Sequence, residues 1–316
     1  MNVLVTGGAG FIGSHLVERL VRENHKVTVL DNLLRGNKIP SHIFSAITFI
    51  EGDVRNYPDV YRSMTGIDVV YHFAAVLGVD VVADFPVETM DVEVLGTRNI
   101  INAAHEVGIS QLFYASTSGI YSHSAIVKTA LNEEVLVDPR TSYAMAKRYN
   151  EIYLASHFEE KGINTIALRF FNVYGERQDN RMVIPRFIEQ AEADADITVF
   201  GTGLQTRDFT YIDDVIEACI KLQNTTGFHI VNIANEQEWT IKDLAECIIE
   251  LTDSKSTISY VDAPKKRYDY EVERRIGSAE KLFELTGFKP TTPLKKGLEL
   301  ILTHQEYSTT NGQKSI

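Results

Sequence analysis

Apolar positions follow two alternating rhythms along the first half of the chain. Val3-Leu-Val-Thr-Gly7 is a short, nearly continuous apolar run and predicts a buried strand. Ile12, Leu16, Val17 and Leu20 follow at helical spacing and predict a helix with one apolar face. Lys26–Leu30, Ile47–Ile50, Asp68–Ala75, Gln111–Ser116 and Asn164–Phe170 repeat the first pattern, and Met90–His105 and Tyr143–Lys161 the second. Strands without a polar face, separated by helices, belong to a parallel sheet covered on both sides. Such sheets bind ligands beyond the carboxyl ends of their strands, where Gly7, Asp31, Asp53, Ala74 and Ser116 fall.

After about residue 171 the rhythm loosens. Val183–Glu192, Asp213–Asn224 and Thr240–Thr252 read as helices, the last opened by a Thr N-cap, and Ile197–Phe200 and His229–Ala234 as strands. Residues 255–285 are mixed and polar, Pro293–Thr303 reads as a last helix, and Ser308–Ile316 as a loose polar tail. The expected fold is α/β: a Rossmann-type doubly wound parallel sheet with a smaller C-terminal substrate-binding lobe. Residues 1–171, with a return segment at about 211–235, would form the first unit; residues 172–210 and 236–316 would form the lobe.

Composition narrows the function classes. With 316 residues, 44% of them hydrophobic and 23% charged, the chain is an ordinary globular one. Its net charge of −12 argues against nucleic acid or an acidic membrane surface as partner. An anionic ligand must then be held by local Arg, Lys or backbone N–H groups. No apolar run reaches membrane-spanning length, since Val69–Val82 carries His72 and Asp80. Cys219 and Cys247 lie in helix-like segments and read as small buried apolar side chains, and the histidines show no ligand spacing, so no metal is expected. Met1 is followed almost at once by a strand, without a basic leader; a cytoplasmic location is expected.

Three features carry chemistry. Gly8-Ala-Gly-Phe-Ile-Gly13 lies between a strand and a helix, and Asp31 closes the next strand. Glycines there let a pyrophosphate approach the backbone at the positive end of a helix, and the acid meets a ribose hydroxyl. Asp31 would repel a 2′-phosphate, which favours NAD over NADP. Tyr143 and Lys147, four residues apart, share one helix face, where an ammonium favours the phenolate and lets the Tyr exchange a proton near neutral pH. Ser116-Thr-Ser118 offers hydroxyls at a strand end that could share a substrate proton with Tyr143, or cap the loop as an ST-turn.

In order along the chain stand Thr6–Gly13, Asp31-Asn32, Gly52-Asp-Val54, His72-Phe-Ala-Ala75, Leu95-Gly-Thr97, Ser116–Ser118, Tyr143-x-x-x-Lys147, Phe170–Gly175 and Gln205–Asp214. In this order they resemble the NAD-dependent epimerase/dehydratase family, extended short-chain dehydrogenases/reductases acting on nucleotide sugars, over about residues 2–300. The resemblance implies that Gly7, Gly10, Phe11, Ile12 and Gly13 line the cofactor pyrophosphate. Asp31, with Asn32 beside it, would bind the adenine-side ribose. Asp53 and Val54 would flank the adenine, and Ala74, Ala75 and Phe170 would lie along the cofactor. Tyr143 would be the base; Lys147 would bond the nicotinamide ribose and lower the Tyr pKa. Thr117 would hold the sugar O4 with Ser118 alongside, Asn172, Arg207 and Arg267 would hold the diphosphate and nucleoside, and Val199 would sit near the base.

The sequence departs from the family pattern in three places. Glu93 occupies a position where asparagine is usual, Ser122 stands where glycine usually follows Tyr121, and the sugar-lobe Arg motif is reduced to Arg267-Tyr-Asp269. The expected function is 4-epimerisation of a UDP-hexose or UDP-hexuronate, with 4,6-dehydration or UDP-glucuronate decarboxylation as alternatives and a non-catalytic NAD-binding module as the remote one. Dehydratases carry Asp-Glu, and decarboxylases a Glu at the second site, where this chain has Ser118 and Gly119. Family habit also implies a homodimer formed through the helices around Met90–His105 and Tyr143–Lys161.

Overall fold

A computed structural model of the chain describes residues 1–76, 79–122, 129–262 and 272–311. Seven strands form one parallel sheet: β1 (Asn2–Thr6), β2 (Lys26–Asp31), β3 (Ile47–Glu51), β4 (Val69–His72), β5 (Gln111–Thr117), β6 (Asn164–Phe170) and β7 (Phe228–Ile233). Their order is β7-β6-β5-β4-β1-β2-β3, so the winding reverses between β1 and β4. The crevice beyond that switch point is where an open α/β sheet takes its ligand. Helices Phe11–Arg22, Gly96–Val107 and Ser142–Lys161 are among those that connect successive strands.

Alternation along each strand feeds two cores. Val3 and Val5 enter one with Val29, Phe113, Ile166 and Leu168. Leu4 enters the other with Leu30, Leu112, Tyr114 and Ala167. Period-two side chains apolar on both faces are what a sheet between two helix layers requires.

Beyond β6 come the strand Val173–Tyr174, the helix Val183–Glu192, the strands Ile197–Phe200, Thr206–Asp208 and Thr210–Tyr211, and the helix Ile212–Lys221. After β7 follow the strand Glu238–Thr240 and the helix Ile241–Thr252, whose Thr240 Oγ1 accepts the Asp243 N–H at 2.9 Å, as the sequence predicts. These later strands build three small sheets apart from the main one.

Two expectations change. The continuous helix over Met90–His105 is instead Pro86–Met90, a π-turn at Asp91–Leu95 and Gly96–Val107. A π-turn adds one residue to a turn of an otherwise continuous helix, and no residue type marks the insertion in the sequence. The last helix, Leu294–Asn311, runs past the expected Thr303. Residues 255–285 also hold order: the strands Ile258–Val261 and Arg274–Arg275 and the helix Glu280–Thr286.

Candidate active site

The glycine turn sits at the switch point. Gly7 follows β1 with φ +68°, and a Cβ there would lie 2.6 Å from the Ala74 nitrogen. A Cβ on Gly13 would lie 2.2 Å from the Gly7 oxygen. No side chain fits at either position, so backbone meets backbone and the helix start stays open to a ligand. Gly10 caps the Phe11–Arg22 helix without a side-chain bond, which leaves the first N–H groups available to an anion. Phe11 and Ile12 open that helix, partly buried against the core.

Asp31 ends β2 and organises this turn. One carboxylate oxygen accepts the Ala9 N–H at 2.9 Å, the other the Leu33 N–H at 2.8 Å. Burial raises its pKa, against those two bonds. Asn32 donates to Asp53 at 3.3 Å, and Arg55 chelates Asp53, lowering its pKa. Val54 is buried against Gly96. The Ala74 N–H donates to Thr6 Oγ1 at 3.3 Å, and Ala75 follows at the β4 end. The cofactor residues expected from the sequence therefore line one edge, from the β3 end across β2 and β1 to β4. Open helix N–H groups, a cradle without side chains and an acid at the β2 end fit NAD.

The catalytic candidates meet next to it. Thr141 caps the Ser142–Lys161 helix by accepting the Ala144 N–H at 3.0 Å, which fixes the start of the turn carrying Tyr143 and Lys147. Thr117, at the end of β5, accepts the Gly119 N–H at 3.1 Å, and its hydroxyl lowers the Tyr143 pKa. The Lys147 ammonium lies 5.4 Å from the Tyr143 ring centroid and 4.8 Å from that of Tyr114. Its ion-pair partner is Glu93, 2.7 Å away on the π-turn, and neither side chain is exposed beyond 1%.

This pair corrects one expectation. The Glu93 carboxylate at Lys147 offsets the positive charge that the Tyr–Lys spacing alone places near Tyr143. Burial and then the Glu93 charge hold its pKa well above the ordinary phenol range, and the Thr117 hydrogen bond lowers it only in part. A carboxylate beside the ammonium cancels the field that was expected to stabilise a phenolate.

Further polar groups to which the motifs assigned no role brace the site. His72, at the end of β4, lies 2.7 Å from Thr6 Oγ1 and 3.1 Å from Thr97 Oγ1. Burial and the Lys147 charge lower its pKa to about 3, so the ring is neutral. Asn150 donates to the Glu93 carbonyl, Thr97 and Tyr114. Glu151 accepts from Ser116 at 2.7 Å and takes both arms of Arg169 at 2.8 Å; Arg169 also reaches the Tyr121 hydroxyl at 2.8 Å. Lys147, Asn150 and Glu151 share the buried face of their helix with Ala144, Ala146 and Leu154. Three polar residues at helical spacing on a buried face were the available signal.

The substrate-side residues are more dispersed. Ser118 is buried in the turn Ser118–Ile120. Asn172 accepts the Thr210 N–H through its carbonyl at 3.3 Å, and Phe170 packs edge-on to Phe73. Arg207 donates to the carbonyls of Thr206 and Val272 at 2.8 and 2.7 Å. Val199 is fully buried in its strand, so backbone rather than side chain is what it can offer a base. Arg267 lies outside the described residues.

A dinucleotide cradle at the switch point, with a Tyr–Lys helix turn beside it, defines an enzyme of the short-chain dehydrogenase/reductase type. The chain belongs to the NAD-dependent epimerase/dehydratase family, whose description fits residues 3–234. It is 35% identical to a UDP-N-acetyl-α-D-glucosaminuronate decarboxylase of Bacillus cytotoxicus, over 94% of this chain and 95% of that one. In three dimensions it resembles the UDP-glucose 4-epimerase of Thermotoga maritima, solved with UDP-glucose: TM-score 0.91, 28% identity, 98% of this chain and 100% of that one covered. It also resembles the UDP-glucuronic acid 4-epimerase of Bacillus cereus, solved with UDP-glucuronic acid and NAD: TM-score 0.87, 29% identity, 98% and 100% covered. NAD is accordingly the cofactor. Among the described residues no group of His, Cys, Asp and Glu could hold a metal ion, and no helix is long and apolar enough to cross a membrane.

Proposed function

We propose that this protein is a 4-epimerase of a UDP-hexose or UDP-hexuronate. The carrying observation is the junction of Thr117, Tyr143 and Lys147 at the end of β5, beside a residue 119 that has no side chain. NAD supplies a reversible hydride acceptor at the sugar C4. Thr117 holds the C4 hydroxyl, and Tyr143, once ionised, takes that proton as the 4-keto sugar forms. After the sugar turns over, Tyr143 returns the proton to the oxygen on the other configuration. Lys147 and the Gly10 helix start position the cofactor; Asn172, Arg207 and Arg267 hold the UDP part, and the Val199 backbone lies by the base. Residues 172–210 and 236–316 form the lobe that closes over the nucleotide sugar.

The relation to a decarboxylase supports a rival reading. Both decarboxylation and dehydration would use a carboxyl side chain at position 119, and Gly119 has none. Glu93 is no substitute: it is fully buried, with its oxygens turned to Lys147 and the Val76 N–H. Product analysis by NMR after incubation with a panel of UDP-sugars tests the reading. A 4-epimer is expected; loss of CO2 or water would reject it.

The same reading makes the protein a cytoplasmic homodimer. The Ser142–Lys161 helix turns Met145, Tyr149 and Ile152 outward, each about half exposed. Apolar residues on the outer face of a helix whose inner face is polar suit a second copy of the chain.

A further inference from the structure

We propose that Glu93 is a positioning residue for proton transfer: its carboxylate holds the Lys147 ammonium and cancels its charge, so that Tyr143 faces a neutral ion pair rather than a lone cation. The role rests on the epimerase reading, because only there does Tyr143 move a proton. The geometry stands without it. Carboxylate and ammonium are 2.7 Å apart and sealed from solvent. The other carboxylate oxygen accepts the Val76 N–H at 3.3 Å, which ties the pair to the segment after β4. Asn150 donates to the Glu93 carbonyl at 2.9 Å and fixes the π-turn to the catalytic helix.

A lone ammonium 5.4 Å from a phenol ring in a largely buried site would favour the phenolate. A carboxylate against that ammonium turns a charge into a dipole, whose field dies away faster with distance. The direction agrees: after burial, the Glu93 charge is the main influence holding the Tyr143 phenol in its protonated form. The other groups facing the site do not reproduce this. Tyr114 and Thr117, from β5, are neutral donors, and His72, from β4, faces Lys147 as a neutral ring. Glu151 acts on Tyr114 and is neutralised by the bidentate Arg169. Glu93 therefore adds one negative charge beside Lys147.

The test is a titration of Tyr143 itself. Protein labelled with 13C at the tyrosine ζ carbons and saturated with NAD+ is followed by NMR against pH, and the Tyr143 signal is identified by its loss in Tyr143→Phe. Glu93→Gln should bring the titration of that signal down by about one pH unit or more. Glu93→Asp, which keeps the charge, should titrate with the wild type. Glu93→Asn replaces Glu93→Gln if the latter does not fold. The acid limb of kcat/KM should move in the same direction as the NMR signal. A Tyr143 signal that titrates in the Gln and Asn variants at or above the wild-type pH would overturn the proposal. Failure to turn over any UDP-sugar would instead reject the epimerase reading, and the NMR comparison would still decide the role of Glu93.

Discussion

Lys147 shows how much a single side chain holds together. It is buried, and its removal strands the Glu93 carboxylate without a counter-charge. Lys147→Ala is expected to cost about 3–5 kcal/mol of stability, the usual penalty for breaking a buried pair from one side. Adding Glu93→Gln to it should recover part of that loss in thermal melts. Tyr143→Phe keeps the packing and should retain NAD, yet lose at least about 10²-fold in rate, as expected for a positioned acid–base group. At this scale the sequence told the identities but not the electrostatics. The Tyr–Lys spacing is visible in any listing of the residues, whereas the charge that opposes Lys147 comes from a turn about fifty residues earlier. Ser122 makes the same point. It takes φ +37° where a glycine is usual, and nothing in its neighbours announces that.

The elements that position the site were legible where the apolar pattern is strongest. Every strand of the main sheet lies within or close to a predicted apolar run, because residues such as Val3, Leu4 and Val5 have to fill cores on both faces. The π-turn was missed because the one added residue carries no residue-type signal, and the buried positions in it and just before it are the polar Glu93 and Thr89. The last helix was cut short because its later turns lack an apolar stripe, although no Gly or Pro stops it before Gly312. His72 shows an element-level consequence. It joins the ends of β1 and β4 to the Gly96–Val107 helix through Thr6 and Thr97, and it is held neutral down to about pH 3. The unfolded chain protonates this ring near 6.5 and the folded one does not. Its contribution is therefore constant above pH 6.5 and lost as pH falls from there toward 3. His15, lowered to about 4 by burial, acts with the same sign. Chemical denaturation at pH 7 and pH 5 should show lower stability at pH 5, and the difference should shrink in His72→Asn.

For the whole molecule, the α/β class, the parallel sheet and NAD as cofactor were readable from ordered motifs, and the sheet and the family match bear them out. The proposed homodimer rests on family analogy, because exposed Met145, Tyr149 and Ile152 are indistinguishable in sequence from core residues at helical spacing. Sedimentation equilibrium should give twice the chain mass, and a Met145→Glu/Ile152→Glu variant should give the monomer. The central claim is that Tyr143 and its neighbours move hydrogen only at C4. The most direct test is to run the reaction in D2O on whichever UDP-sugar the protein converts and to read the product by NMR. Hydrogen removed from C4 and returned there without passing through solvent leaves a 4-epimer with no carbon-bound deuterium, which is the predicted result. Deuterium at C5 or C6, or release of CO2, would contradict it.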